Sequence, residues 1–426
     1  MAEFARRAVV RLGFLFAAFL IPACDDSSSG APHPLDPDFG AGGIILMDEA
    51  AGYGEVTALA LDSGWLYAGG FLNDPVLGPT LRVEKRSAAT GALDPGFGSA
   101  GVLSVPQEFA PTELVVSGSS IYVIGRETFA DSRWRVERRS TATGDLVNGF
   151  GAGGVWISDP SPYVDYPECA TADGVHLYVA GMDRVPGPVY YRWRIEKIRL
   201  DDASHDAGFG AGGVAVVAQT DRQEQAFDIL LASGSLYVGG VSIGPGAWQW
   251  RLEKRDPVDG DLDGTLDGDG VLLLDHSTSM DALHCLGFDG TALVLAGFDG
   301  GPAGFNERWR VEWRSPIDGA LLPAHGSGGV MLSDPTPAWD EPFGLAVDTA
   351  GLFVVGRENN VPIDSRWRIE SFSPTGTRRR VVVADLSSSV DVAVEIQMDA
   401  NHVYIGGKHG RTGGGEGSWR IEKRSR

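Results

Sequence analysis

Trp134-Arg-Val-Glu137, Trp193-Arg-Ile-Glu196, Trp250-Arg-Leu-Glu253, Trp309-Arg-Val-Glu312, Trp367-Arg-Ile-Glu370 and Trp419-Arg-Ile-Glu422 are one phrase written six times, and Leu81-Arg-Val-Glu84 is a seventh copy led by leucine. The arginines stand at 82, 135, 194, 251, 310, 368 and 420, so the steps are 53, 59, 57, 59, 58 and 52 residues. A near-constant period of that size marks a repeat architecture, in which each unit buries its apolar face only against its neighbours. Arg and Glu are two residues apart, so on a strand they share one face while Trp and the intervening Val, Ile or Leu share the other. The expectation is that the apolar face packs on one neighbouring unit and that the charged face forms an Arg–Glu ladder with another. A residue present seven times serves the fold rather than chemistry.

Around the phrase lies a unit of four short strands. In the first unit these are residues 55–61 (EVTALAL), 65–70 (WLYAGG), 81–86 (LRVEKR) and 101–105, divided by Asp62-Ser-Gly64, a polar loop and a Thr90-Gly91 turn. Alternating apolar runs bounded by Gly, Asp, Ser and Pro read as strands and turns. A glycine closes the second run of every unit, at 70, 125, 181, 240, 297, 356 and 407, where it is expected to free the backbone for a sharp exit. Four strands repeated radially seven times predict an all-β fold, a single seven-bladed β-propeller.

The two ends complete each other. The last unit stops after its third strand, and Leu35-Asp-Pro-Asp-Phe39-Gly40 leads into Ile44-Ile-Leu-Met47, a fourth strand with no unit before it. The N-terminal strand is expected to become the outer strand of the seventh blade, which removes a sheet edge open to other chains.

The chain has 426 residues with 59 Gly and 24 Pro, 43% hydrophobic residues and a formal net charge of -22. So acidic a surface repels a phosphate backbone and anionic lipid, and no nucleic-acid partner is expected. Three cysteines do not make a disulfide framework; Cys169 and Cys285 fall in non-adjacent units and read as small buried residues.

Residues 1–24 read as a processing segment. Arg6, Arg7 and Arg11 precede a short apolar run at 12–20 (LGFLFAAFL), and Ile21-Pro-Ala-Cys24 resembles a bacterial lipobox, with Pro22 a departure from it. Lipidation at Cys24 is expected, with ordinary cleavage near Ala23 as the alternative. Residues 25–34 then form a flexible tether, and 35–426 the propeller. This places the protein in the bacterial cell envelope, held to a membrane outside the cytoplasm.

The Leu-Asp-x-x-Phe-Gly-x-x-Gly phrase, joined to an alternating strand with a Thr-Gly turn, resembles the delta-sixty repeat family of bacterial secreted propeller proteins over residues 35–426. The resemblance implies a propeller and export, and no established activity. Tyr67-Ala-Gly-Gly70, Tyr237-Val-Gly-Gly240 and Tyr404-Ile-Gly-Gly407 resemble kelch double glycines. The Thr-Gly turn resembles quinoprotein blades, but their closing Trp is missing and no quinone cofactor is carried over.

Two groups of acids are candidate sites. Asp165, Glu224, Asp281, Asp340 and Asp391 recur at the start of the first strand in five units, which puts them at one mouth of the channel. They read either as a ring for a cation or basic ligand, or as acceptors for turn N–H groups and arginines. Asp259, Asp261, Asp263, Asp267 and Asp269 match a calcium loop except that Gly270 stands where a bidentate Glu belongs. Calcium is the one cofactor in view, and the stretch also aligns with 143–155, an ordinary turn and strand lead. The histidines show no metal spacing, and His284 beside Cys285 would point to the opposite face. Tyr190, Tyr191, Trp248, Phe305, Arg126, Arg357, Lys408 and Arg411 fall on one face as loop candidates. The resulting expectation is a binding or scaffold module for a protein or glycan ligand. The alternative is an envelope glycan hydrolase or lyase working through a pair of mouth carboxylates about 5–9.5 Å apart.

Overall fold

The structure is a computed structural model that describes residues 33–426 except 48–52, 75, 77, 107–108, 128–131, 186–189, 218–222, 244–247, 302–305, 362–363, 388 and 411–416. Twenty-eight strands form seven four-stranded antiparallel sheets, with no helix among the described residues. The sheets stand around an axis as the seven blades of a β-propeller. In the first blade, Tyr53–Asp62 pairs with Trp65–Asp74, which pairs with Gly78–Ser87, which pairs with Val102–Pro106. The next five blades repeat that order.

The seventh blade closes as expected. Ile44–Leu46 lies beside Ser418–Ser425, with Ile44 opposite Glu422, Ile45 opposite Ile421 and Leu46 opposite Arg420. The join reaches further upstream than the expected boundary. His33 and Pro34, placed in the tether above, accept hydrogen bonds from Arg424 and from the Ser425 N–H, and the His33 ring is buried against Phe353 and Ser371 of the sixth blade.

The core is divided among the gaps between blades. An apolar cluster fills each gap, with a second around Phe227 and Phe298 between the fourth and fifth blades; Trp134 and Val136 of the second blade, for instance, meet Leu177 and Val179 of the third. The repeated Trp belongs to this face and is fully buried at 134, 193, 250, 309 and 367.

The charged face is arranged differently from the expected ladder between blades. Each Glu pairs along its own strand, gripped by a cation on either side. In the fourth blade Arg251 Nε lies 2.9 Å from one oxygen of Glu253 and Arg255 Nε 2.7 Å from the other. The same clamp holds Glu84, Glu137, Glu312 and Glu422. The third and sixth blades carry Ile198 and Phe372 where the second Arg belongs, and His205 and Arg378 reach in from the following segment instead. Between blades the first arginine makes a cation–π contact, and Ser158 and Ser333 donate to Glu196 and Glu370 of the following blade. Arg251 lies over Trp193, Arg368 over Trp309, Arg420 over Trp367 and Arg82 over Trp419. Arg135 would meet Leu81, and lies over Phe109 instead.

The glycine of the second strand has a role other than the expected exit. The strand runs on past it in all seven blades, and it is absent from the positive-φ positions. Opposite it, the first strand carries a β-bulge, at Thr57, Thr112, Glu168, Phe227, His284, Phe343 and Val394. The bulge drives a carbonyl toward the glycine. A Cβ would stand 2.0 Å from the Glu55 oxygen at Gly70 and 2.0 Å from the Gln225 oxygen at Gly240. Here glycine is required by close approach.

Candidate functional site

First strands begin, and second strands end, on one face of the ring, which also carries the connections from second to third strands. Four aspartates hold that face together. Asp281, fully buried, accepts from the N–H groups of His276 and Ser277 and from the Ser277 hydroxyl in the segment entering its blade, and from the Gly300 N–H at the far end of the second strand. Asp165, Asp340 and Asp391 do the same with Ser161 and the Arg184 N–H, with Thr336 and the Asn359 N–H, and with Ser387 and the Gly410 N–H. Glu224 is also buried, and accepts from the Ser242 hydroxyl. The acids thus occupy matching places in five blades, with their oxygens turned into protein.

Burial raises these carboxyls against the pull of their donors: Asp165 to about 6, Asp340 to about 8, and Asp281 and Asp391 upward. The signal for this clamp was present in the chain as Ser or Thr four residues before the Asp, at 161, 277, 336 and 387. It was missed because the acid alone was read.

Above the second and third blades the same face carries alternating cations and rings. Arg126 lies 4.6 Å from the Tyr166 ring centroid, and Arg184 lies 5.2 Å from that of Tyr163. Tyr191 stands directly across the strand pair from Arg184. Burial, with the Tyr166 hydroxyl nearby, pushes the Tyr191 phenol up. Tyr163 is exposed, while Tyr166, Arg126, Arg184 and Tyr191 are half-buried. Of the loop candidates named from sequence, Arg126 and Tyr191 belong here, joined by Tyr163, Tyr166 and Arg184. Those three were missed because only the ring places residues of adjacent units together. Arg357 is tied to Glu341 and lies over Phe343, several blades away. Trp248 and Lys408 are half-buried in other blades. Phe305, Arg411, the Tyr190 side chain and Cys24 lie outside the described residues.

The Asp-rich loop is a strand lead. Asp259, Asp263 and Asp269 each accept the N–H two residues on, and the Lys254 ammonium, 2.9 Å away, holds Asp263 down at about 2. Among the described residues no group of three or more His, Cys, Asp or Glu is arranged to hold a metal ion. Cys169 and Cys285 are buried free thiols. The opposite mouth of the channel opens a cavity of about 300 Å³ lined by Leu61, Val116, Ala172 and Gln397.

No protein-family model matches the sequence. The comparison with curated proteins finds no match either. Among solved structures, the quinohemoprotein alcohol dehydrogenase of Comamonas testosteroni is 12% identical, over 88% of this chain and 68% of that one, with a TM-score of 0.47. Sqt1 of Chaetomium thermophilum, bound to the N-terminus of ribosomal protein L10, is 11% identical over 88% and 97%, with a TM-score of 0.46. The WD40 β-propeller domain of Doa1 is 8% identical over 74% and 92%, with a TM-score of 0.31. Likeness at this level carries nothing about ligand or activity, and the assignment of a seven-bladed propeller rests on the strand topology.

Proposed function

We propose that the protein is a lipid-anchored module of a bacterial envelope that binds a protein or glycan ligand on its loop face. The observation that supports binding is the patch of Tyr163, Tyr166, Tyr191, Arg126 and Arg184. Tyr and Arg are the side chains that most often carry recognition, since rigid rings supply contact area at small entropic cost and guanidinium groups supply directed hydrogen bonds. The buried Asp165 fixes the Tyr163 and Tyr166 segment to the strand carrying Arg184, so the patch is preorganised. Anchoring is supported by the Arg-rich start, the short apolar run and Ile21-Pro-Ala-Cys24. A delta-sixty repeat relationship would fit export from the cytoplasm.

The hydrolase or lyase alternative requires mouth carboxylates turned toward a substrate, and all five are buried. Binding is tested by capturing envelope proteins and glycans on wild type and on Tyr163→Ala with Tyr166→Ala. The double variant is expected to melt like wild type and to lose at least one wild-type partner. An identical set of partners on the two proteins would count against the patch. For the anchor, Cys24→Ala should shift the protein from the membrane to the soluble fraction, or leave it unprocessed.

A further inference from the structure

The sixth blade breaks the repeat at its outer rim. The third blade carries exposed Asp201 and Asp202 in the turn after its third strand, and the fourth and fifth carry exposed Asp259 and Asp318 at the matching place. The sixth has Thr375 at that place, as the first and second have Thr90 and Thr143, and then Thr377-Arg-Arg-Arg380 in place of the strand lead. Arg378 is used inside the blade, 3.1 Å from the buried Glu370. Arg379 is exposed and Arg380 half-buried, and no ion pair among the described residues takes either of them. Two adjacent uncompensated arginines are an anomaly on a chain of net charge -22.

Their position adds a second observation. Arg380 pairs across the strands with Ser371, whose hydroxyl lies 2.7 Å from His33 Nε2. The positive charges of Arg379 and Arg380 act on the His33 ring. His33 is the first described residue, so the chain joins the ring beside this basic rim. Cys24 lies nine residues upstream. A fully extended stretch of that length spans about 30 Å at most. With Cys24 lipidated, this rim is held within that reach of the bilayer.

We propose that Arg379 and Arg380 form a membrane-facing contact that takes anionic phospholipid headgroups and orients the anchored propeller with its sixth blade toward the bilayer. This rests on the lipoprotein reading above. An arginine near an anionic surface is worth roughly fivefold in binding, and the attraction decays within a Debye length of about 10 Å, so it acts only where the chain is already held close. The acidic rims of the third to fifth blades are repelled by the same surface, which fixes the direction of tilt.

The test uses the full-length lipidated protein in vesicles that carry headgroup nitroxide lipid. A fluorophore is placed at Thr377→Cys beside the rim, or at Asp202→Cys on the third blade; the free thiols at 169 and 285 are buried. In vesicles containing phosphatidylglycerol, quenching is expected at 377 and not at 202. It should fall to the level at 202 in R379E/R380E, in phosphatidylcholine alone, and at high salt. Equal quenching at the two positions, or quenching at 377 that ignores R379E/R380E, overturns the proposal. A mass spectrum of wild type without lipid on Cys24 would sink the anchoring reading alone. The rim would then be judged by sedimentation with anionic vesicles: salt-sensitive binding lost in R379E/R380E upholds it, and absence of binding overturns it.

Discussion

A glutamate gripped by two arginines is stable as a trio and hazardous as a remnant. Arg251 and Arg255 are buried on either side of Glu253, so Glu253→Ala leaves two cations facing each other out of water. Removing one partner of a buried charge network costs about 3–5 kcal/mol. The denaturant midpoint of this variant should fall accordingly, while an exposed acid such as Asp202→Ala should leave it nearly unchanged. The buried aspartates set a second expectation. Burial holds the Asp340 carboxyl at about 8 in the native protein, whereas a free Asp titrates near ~3.9. Between those values the native state keeps a proton that the unfolded chain gives up. The contribution is whole below about pH 4 and is lost as pH rises through about 8, and Asp165 loses its share earlier, through about 6. The melting temperature should therefore decline from about pH 7 to pH 9; at lower pH the buried His33 and His276, held down at about 4, oppose the aspartates. Asp340→Asn, which keeps an acceptor for the Asn359 N–H, should flatten the decline; an unchanged slope would contradict this assignment.

At the level of strands and turns, the second-strand glycines make the sharpest prediction. Gly240→Ala forces a methyl group into the Gln225 carbonyl, and overpacking of this kind costs about 1–3 kcal/mol or more. Gly96→Ala is the control, because its nearest neighbour lies at 3.4 Å and its φ is not positive. Circular dichroism melts should separate the two variants clearly. The Asp-rich lead of the fourth blade is expected to melt identically in millimolar calcium and in chelator, since Asp263 already has Lys254 as its counter-ion. Strands were legible in the chain because alternation and turn residues are local properties. The bulge was not: a glycine pressed by a carbonyl of another strand and a glycine in a turn are the same letter. The charge clamp was half legible. Arg and Glu two apart had to share a face, but the second cation sits at 86, 139, 255, 314 and 424 in five blades and arrives from elsewhere as His205 and Arg378 in two, so no single spacing announces it. The inward orientation of the mouth acids depends on main-chain donors that a sequence does not display.

The whole ring depends on a joint between residues near opposite ends of the chain. Besides the strand pairing, Tyr404 donates to the Ala88 carbonyl, Lys423 pairs with Asp36, and Gly40 donates its N–H to the Thr90 carbonyl, so the seventh blade is locked to the first as the other blades are to their neighbours. Deleting residues 35–47 removes the outer strand of that blade and exposes an edge. A melting temperature well below wild type and a tendency to associate are expected, read by calorimetry and light scattering. An unchanged melt would mean that six complete blades and a three-stranded seventh suffice.

That joint also imposes an order in time. Ile45 is made long before its partner Ile421, so the ring stays open until the seventh blade has been made. Bringing the two ends together in a loose chain of this length would cost roughly 5 kcal/mol in loop entropy. Blades that stack one after another lower that cost, because each completed interface carries the later strands back toward the first. Closure by this latch thus waits on the seventh blade, and until its partner arrives the strand is an unpaired edge that must be kept from its neighbours.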